Sequence, residues 1–480
     1  MSGRNLSVVT AFNSAILPGM KLGCATRRWA VRVAILGIAL FAPLSMSAAD
    51  SLKWSKEKDS VDADISTWSL VQTLEAVAEA SGWQVYVEPG TKKAVSTKFR
   101  DRSKDRALDM LLGNLGRALL PGTNGGPPRL LVFRNKERDA TQLIRARKRA
   151  KPIPDELIVR MKKGKSVKDV ADKLGAKVLG KSDELHAGRL KFENEEAANK
   201  ARELLAENSD VESTDPNFPV LDQPALDNSA ASASSSLNLK PLKDGDPLII
   251  GLVDTGVQKT GGAYDDFLLP GISVAEQSTA ASGTEPMHGT SMFEVLLKSI
   301  DAFSKDGTTS PVKVLPVDVF GSGGATTYEV AEGIAQALKN GARIINLSLG
   351  SEGDTPLLRT IIQQGSAAGA IFVASAGNTP TDAPTFPAGY PEVISVTAGD
   401  SPTTLASYAN FSGVNDAMAP GVARIQFGGN TWIVNGTSPA AAYFSGAVAV
   451  GVSGGQTPAQ AAQNALRAFP LPPSTRTSAP

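Results

Sequence analysis

The sequence predicts an α/β protein whose largest part is a parallel sheet with helices on both faces, a three-layer arrangement preceded by two small α/β domains. From PLIIGLVDTGV to about Phe469, short apolar runs alternate with helix-patterned stretches, as in TTYEVAEGIAQALKNG before ARIINLSLG and LLRTIIQQGSAAG before AIFVASAGN. Upstream, shorter helix and strand patterns form two groups, set off by basic RARKRAKP and Ser/Ala-rich SAASASSSLNL. The 480 residues, 42% hydrophobic and 20% charged, suit two to four ordinary globular domains.

The elements follow in order. Arg27, Arg28 and Arg32 lead into VAILGIALFAPL and then SMSAAD, the layout of a signal peptide over residues 1–49. Its apolar run, about 12 residues, is shorter than the ~20 that span a bilayer, and no later segment suits an anchor, so a periplasmic or secreted location with no stable membrane span is expected. Residues 1–49 hold five basic and no acidic residues, so removing them takes the charge from +1 to 44 − 48 = −4. Nothing in that balance points to nucleic acid. Cys24 is the one cysteine and precedes the apolar core, so the mature chain has no disulfide.

Residues 56–136 read as the first small domain. In DISTWSLVQTLEAVAEASG, Ser66 or Thr67 is the expected cap, Leu70, Val71, Leu74, Val77 and Ala78 share a helix face, and Gly82 is the stop. Strands WQVYVEP and VSTKFRD, helix SKDRALDMLLGNLG, loop PGTNGGPP and strand RLLVFRN follow. This order resembles the small amino-terminal domain of secretins and outer-membrane receptors. The resemblance implies docking to an envelope protein or the cell wall, with a folding or spacer role as the alternative. Residues 137–152 are expected to be a solvated basic linker. DELIVRMKKGKSVKDVADKLGAKVLG and GRLKFENEEAANKARELLAENSDVESTDPNF give a second unit over 153–220, followed by a flexible linker at 221–240 and, after 241–469, a tail at 470–480.

In an open parallel sheet, function gathers at the carboxyl ends of the strands, and four such places carry chemistry. Asp254 ends IIGLVDTGV, as a turn residue or a functional carboxylate. His288 precedes a helix-like segment and is one of two histidines; the other, His186 in DELHAG, suits a surface turn. Asn378 ends FVASAGN, as a capping amide or a donor to a developing oxyanion. Ser438 precedes PAAAYFSGAVAV, as the cap of a helix starting at Pro439 or as a nucleophile at its amino terminus.

Together with the blocks VDTGV, HGT, NLSLGS, SAGN, YPEVISVTA, MAPGV and NGTS in this order, the set resembles the subtilisin-like serine proteases over 241–469, and the 153–220 unit resembles their propeptide. The resemblance implies a subtilisin-like fold and an exported endopeptidase made as a zymogen, hydrolysing peptide bonds in protein or peptide substrates. Ser438 would be the nucleophile, His288 the base, Asp254 its orienting carboxylate, and Asn378 with the Ser438 N–H the oxyanion hole. Ser348, Leu349 and Gly350, with Ala376 and Gly377, would line the substrate groove. Thr379 is neutral and Thr385 narrows the pocket floor, which favours a medium apolar side chain before the scissile bond. The resemblance implies no cofactor: the family's calcium loop has no clear counterpart, and Asp265, Asp266 and Asp306 are either calcium ligands or exposed turn carboxylates.

The pattern is altered in places. Met292, Phe293 and Glu294 follow Ser291 where small residues are usual, Pro439 adjoins Ser438, Ala442 replaces a proline and Tyr443 a histidine. The alternative function is therefore an impaired, protease-like envelope adaptor that binds peptides or partner proteins.

Overall fold

The computed structural model describes residues 51–472 apart from 56–59, 89–90, 92, 123–125, 145–149, 222–226, 229–236, 244, 276–282, 305–308 and 322–323. The signal peptide, the basic run 145–149, the Ser/Ala-rich run 229–236, Asp306 and residues 473–480 lie outside the described residues.

In the first small domain, strand Ser60–Ser69 pairs antiparallel with Ala94–Ser103 and leads straight into helix α1, Leu70–Ser81. The cap is Ser69, not Ser66 or Thr67. Strand pairing carries residues 66 and 67 past the expected boundary, and Ser69 then closes a capping box with Gln72. Gly82 ends the helix. Helix α2, Lys104–Leu112, stops before the expected GNLG, and GRALL at Gly116–Leu120 is a strand paired with Arg129–Phe133. The stretch expected to be linker from residue 137 includes strand Gln142–Ile144, which joins the same sheet beside Gln84–Val87. Leu70, Leu74, Val77, Val85, Leu108, Leu111 and Leu130 form this domain's core.

The second unit is a four-stranded antiparallel sheet in the order Val211–Pro216, Glu156–Met161, Ala187–Lys191, Lys177–Ser182, with helices α3 (Val167–Leu174) and α4 (Glu195–Ala206). Strand alternation sorts its residues. Leu157, Val159 and Met161 pack under the helices, whereas Ile158 and Ala187 enter a core of the region that follows.

That region holds an eight-stranded sheet. The order runs Ile272–Ser273, Val312–Asp318, Leu248–Asp254, Ile344–Leu347, Ile371–Ser375, Val393–Ser401 and Thr404–Leu405, with Ala417–Pro420 also on Val393–Ser401. All these pairings are parallel except that of Thr404–Leu405. Helices α5 (His288–Phe303), α8 (Thr437–Ser453) and α9 (Pro458–Ala468) cover one face, where Ile250, Leu252, Val314 and Val373 meet Phe293, Leu296 and Phe444. Helices α6 (Thr327–Lys339) and α7 (Pro356–Ala367) cover the other, over Val253, Val317, Ile345 and Phe372. Two helix layers on one parallel sheet are the predicted fold class.

Within the expected linker 221–240, Asp227–Asn228 pairs with Trp432 and Ile433, and Leu239 is buried. Lys240–Pro241 then pairs with Thr309–Ser310. The described parts of that stretch are bound to the region of the eight-stranded sheet and its neighbouring strands.

Candidate active site

Asp254 is the last residue of a buried strand and is fully buried; its Oδ1 accepts the N–H of Thr255. His288 is the first residue of α5, and its Nδ1 lies 2.8 and 3.0 Å from the two Asp254 carboxylate oxygens. With Nδ1 on a carboxylate, Nε2 is left as the ring's outer nitrogen, buried and with no hydrogen-bond partner. Local bonds fix the entry of α5. Met287 N–H donates to Gln258 Oε1 at 2.6 Å, Thr290 Oγ1 donates to the same oxygen at 2.9 Å, and Gln258 N–H donates to Thr290 Oγ1 at 2.9 Å. Gly289 is required because a Cβ there would lie 2.3 Å from the Thr255 carbonyl oxygen. The VDTGV and HGT blocks are thus one packed unit.

Ser438 is buried in the first turn of α8. The helix starts at Thr437, not Pro439, so Ser438 is not its cap; Gly436 holds that position with φ 138°, open to glycine but strained for other residues. Ser438 Oγ donates to the Ser348 carbonyl at 3.3 Å, and Ser348 Oγ donates to the Ser438 carbonyl at 3.0 Å. Behind them, Ser445 Oγ donates to Asn346 Oδ1 at 2.9 Å, and Asn346 Nδ2 donates to Ser348 Oγ at 2.9 Å. Asn346 and Ser445 were not foreseen; the available signal was a polar residue closing the apolar run ARIIN. Pro439 lacks an N–H at a helix start where the first amides have no intrahelical acceptor, so its place in α8 is easily tolerated.

Asn378 meets the first of its two expected roles, that of a capping amide. Its Oδ1 accepts the Thr437 N–H at 2.8 Å and the Thr437 hydroxyl at 3.0 Å, so it caps α8 from another loop. Because an N–H must meet the amide oxygen, Nδ2 is the end left over as a donor. Gly377 N–H donates to Thr437 Oγ1 at 3.0 Å and its carbonyl accepts the Asn410 N–H, so the N–H is already engaged within the chain. The Ala376 carbonyl is likewise held by Thr385 Oγ1 at 3.0 Å and Asn410 Nδ2 at 2.8 Å. Leu349 is buried in the core beneath α6 and α7, Thr379 is exposed, and buried Thr385 stands against Gly350.

A segment of the chain itself lies against Gly350, one of the residues expected to line a groove. Thr327 N–H donates to the Phe218 carbonyl, Val220 N–H to the Ala325 carbonyl and Leu221 N–H to the Gly350 carbonyl, at 2.9, 2.9 and 2.8 Å. Ser351 Oγ adds a bond to the Pro219 carbonyl at 2.9 Å. Residues 218–221 therefore lie extended between 325–327 and 350–351, and Asp227–Asn228 pairs with the strand that runs into Gly436 and Ser438. Backbone pairing of this kind carries little side-chain selectivity.

The altered residues behind His288 and Ser438 are satisfied. Met292 and Phe293 fill the core, and Glu294 pairs with Lys298 at 2.7 Å and accepts the Gln426 N–H. Tyr443 stacks edge-on with Phe303 and Phe469 at 5.7 and 6.0 Å, an aromatic cluster at the far end of α5. Asp265 accepts from the Thr260 N–H and hydroxyl and from the Gly261 N–H, as a turn carboxylate does. His186 is exposed in the left-handed region. Among the described residues, no group of three or more His, Cys, Asp or Glu is placed to hold a metal, and no helix is long and apolar enough to cross a membrane.

Comparison with known proteins agrees with this architecture. Residues 245–469 match the subtilase family, and residues 138–217 match the fervidolysin N-terminal prodomain. Subtilisin DY of Bacillus licheniformis is 30% identical over 212 residues, 42% of this chain and 75% of that protein. A thermophilic serine proteinase from a Bacillus species is 30% identical over 215 residues, 43% of this chain and 52% of its own length. Among solved structures, a mutant of the epidermin leader peptide processing serine protease of Staphylococcus aureus superposes with TM-score 0.50 at 17% identity, covering 65% of this chain and 92% of that one, a likeness of fold. The chain belongs to the subtilase family of serine proteases and carries a fervidolysin-type prodomain ahead of its catalytic region.

Proposed function

We propose that the protein is an exported serine endopeptidase that cuts peptide bonds with Asp254, His288 and Ser438. The observation that carries this reading is the His288 ring held on both oxygens of buried Asp254 with Nε2 unpartnered, while Ser438 is held by Ser348 at the carboxyl end of the neighbouring parallel strand. Turning Ser438 Oγ from the Ser348 carbonyl to Nε2 lets the imidazole take its proton as the oxygen attacks the substrate carbonyl. Asn378 Nδ2 and the Ser438 N–H would receive the oxyanion, aided by the amino terminus of α8. The imidazolium, stabilised by Asp254, returns the proton to the leaving amine, and water releases the acyl group by the same steps in reverse roles. This chemistry asks for no cofactor.

The amino-terminal part would be removed by self-cleavage. The chain enters the groove at Leu221 and runs along the strand before Ser438 at Asp227, so the cut is expected between residues 221 and 227. Export rests on the signal-like residues 1–49. An envelope protein is the proposed partner of residues 56–136, on their likeness to the secretin amino-terminal domain.

The test is to follow residues 50–480 and its Ser438→Ala variant by intact mass. The parent should cut itself in that window and the variant stay whole, with kcat on an added peptide falling about 10⁶-fold, the loss a subtilisin shows without its nucleophile. If the parent also stays whole and resists a fluorophosphonate, the adaptor reading leads.

A further inference from the structure

The loop between Asn378 and Thr385 touches the first small domain. Ser69, the cap of α1, donates its hydroxyl to Asp382 Oδ2 at 2.9 Å while accepting the Gln72 N–H. Two turns into the helix, Glu75 accepts the Thr381 hydroxyl at 2.7 Å, and Glu75 is 3% exposed. A carboxylate from the catalytic region thus sits at the positive end of α1, and a carboxylate of α1 is buried against the catalytic region. A buried carboxylate keeps its place when it is hydrogen-bonded, so the contact is specific in register. The loop is braced from within: Ala383 N–H donates to Thr381 Oγ1, and Phe411 N–H donates to the Thr381 carbonyl.

We propose that the first turns of α1 and loop 379–384 form an intramolecular docking surface, and that it makes the amino-terminal domain a second anchor for the inhibitory fragment. This rests on the zymogen reading, in which a cut between 221 and 227 severs the small domain and prodomain together from the catalytic region. The severed fragment then holds the enzyme through the prodomain on α6 and α7 with the adjoining residues 218–221, and separately through α1 on the loop that starts at the oxyanion amide. Two linked contacts dissociate far more slowly than either alone, because one stays engaged while the other opens. The small domain therefore prolongs inhibition after the first cut.

The experiment avoids dependence on catalysis. Residues 50–480 carrying Ser438→Ala receive a recognition sequence for a site-specific protease within 229–236 and are compared with the same chain bearing Ser69→Ala and Asp382→Ala. A third chain bears Glu75→Ala, which removes the acceptor of the Thr381 hydroxyl and leaves the loop's own Ala383–Thr381 bond in place. Before cutting, hydrogen exchange at 379–384 should be several-fold faster in both altered chains. After cutting with the added protease, release of the amino-terminal fragment, followed by native mass, should be at least about tenfold faster in them. Unchanged exchange overturns the docking surface, and faster exchange with unchanged release overturns the anchor. Failure of the endopeptidase reading shows separately, as absence of self-cleavage in the chain with Ser438 intact.

Discussion

The prodomain and the small amino-terminal domain both touch the catalytic region, by different physics. The prodomain shares a core with α6 and α7, placing Ile158, Ala187 and Val220 among Tyr328, Ala331 and Ile345. On that apolar base sits Arg189, bonded to Glu156 at 2.8 and 2.9 Å and to Glu329 of α6 at 2.8 Å. Burial works against its charge, but the bonds and charges of the two carboxylates outweigh this and raise its pKa above the usual arginine range. Asn217 completes the set, donating to Glu156 and accepting from Thr327 Oγ1 and the Tyr328 N–H. The α1 contact, in contrast, includes polar bonds from Ser69 and Glu75 to one loop. Apolar burial supplies most of the holding free energy, so the prodomain carries affinity while α1 carries position and persistence.

The largest break in this comparison is Arg189→Ala. Removing the guanidinium leaves Glu156 and Glu329 buried without their shared cation, a change worth about 3–5 kcal/mol in such pairs. In the Ser438→Ala background, hydrogen exchange across Glu156–Met161 and α6 should rise together while loop 379–384 changes less. Adding Glu329→Gln should recover part of the loss; no recovery would mean that Arg189 acts through packing alone.

A smaller break lies at Phe218. A Cβ on Gly353 would come within 2.1 Å of the Phe218 ring, so Gly353→Ala must displace it, at a cost of about 1–3 kcal/mol. Protection of the Val220 and Leu221 amides should fall. Phe218→Ala in the same chain should then cost less than it does alone, which a double-mutant cycle reads directly.

The same contrast, local against distant, explains what was legible in the sequence. Asp254, His288, Asn378 and Ser438 each stand where an apolar strand ends or a helix begins, so pattern and chemistry coincide within a few residues. Their supports are remote. Asn346 and Ser445 are 99 residues apart, and the bonds from Ser69 and Glu75 span 313 and 306 residues. Nothing in NLSLG or PAAAYFSG alone announces that pairing. The cap of α1 was misplaced for a related reason: DISTWS offers Ser66, Thr67 and Ser69, and the choice is made by where pairing with Ala94–Ser103 stops. GRALL was missed because it follows a helix pattern directly, and only Gly113 at φ 60° and its partner strand turn it into a strand.

The smallest expected effect concerns pH and again separates the two contacts. Asp215 of the prodomain is buried and accepts the Leu357 N–H at the start of α7, at 3.0 Å. Burial raises its pKa above the ordinary aspartate value of 3.8, and it outweighs the lowering by the Arg160 charge and the Leu357 N–H. Between 3.8 and the raised value, the docked prodomain therefore binds more protons than the released one, whose Asp215 faces water. By linkage, docking strengthens as pH falls through the raised pKa and weakens as pH rises through it. Asp215→Asn keeps an acceptor for Leu357 and removes the titration, so it should flatten this component. Fragment release from the cut Ser438→Ala chain, measured from pH 4 to 7, should quicken with pH in the parent more than in Asp215→Asn. Equal slopes would mean that the Leu357 bond, not the buried charge, sets the role of Asp215 in holding the prodomain on α7.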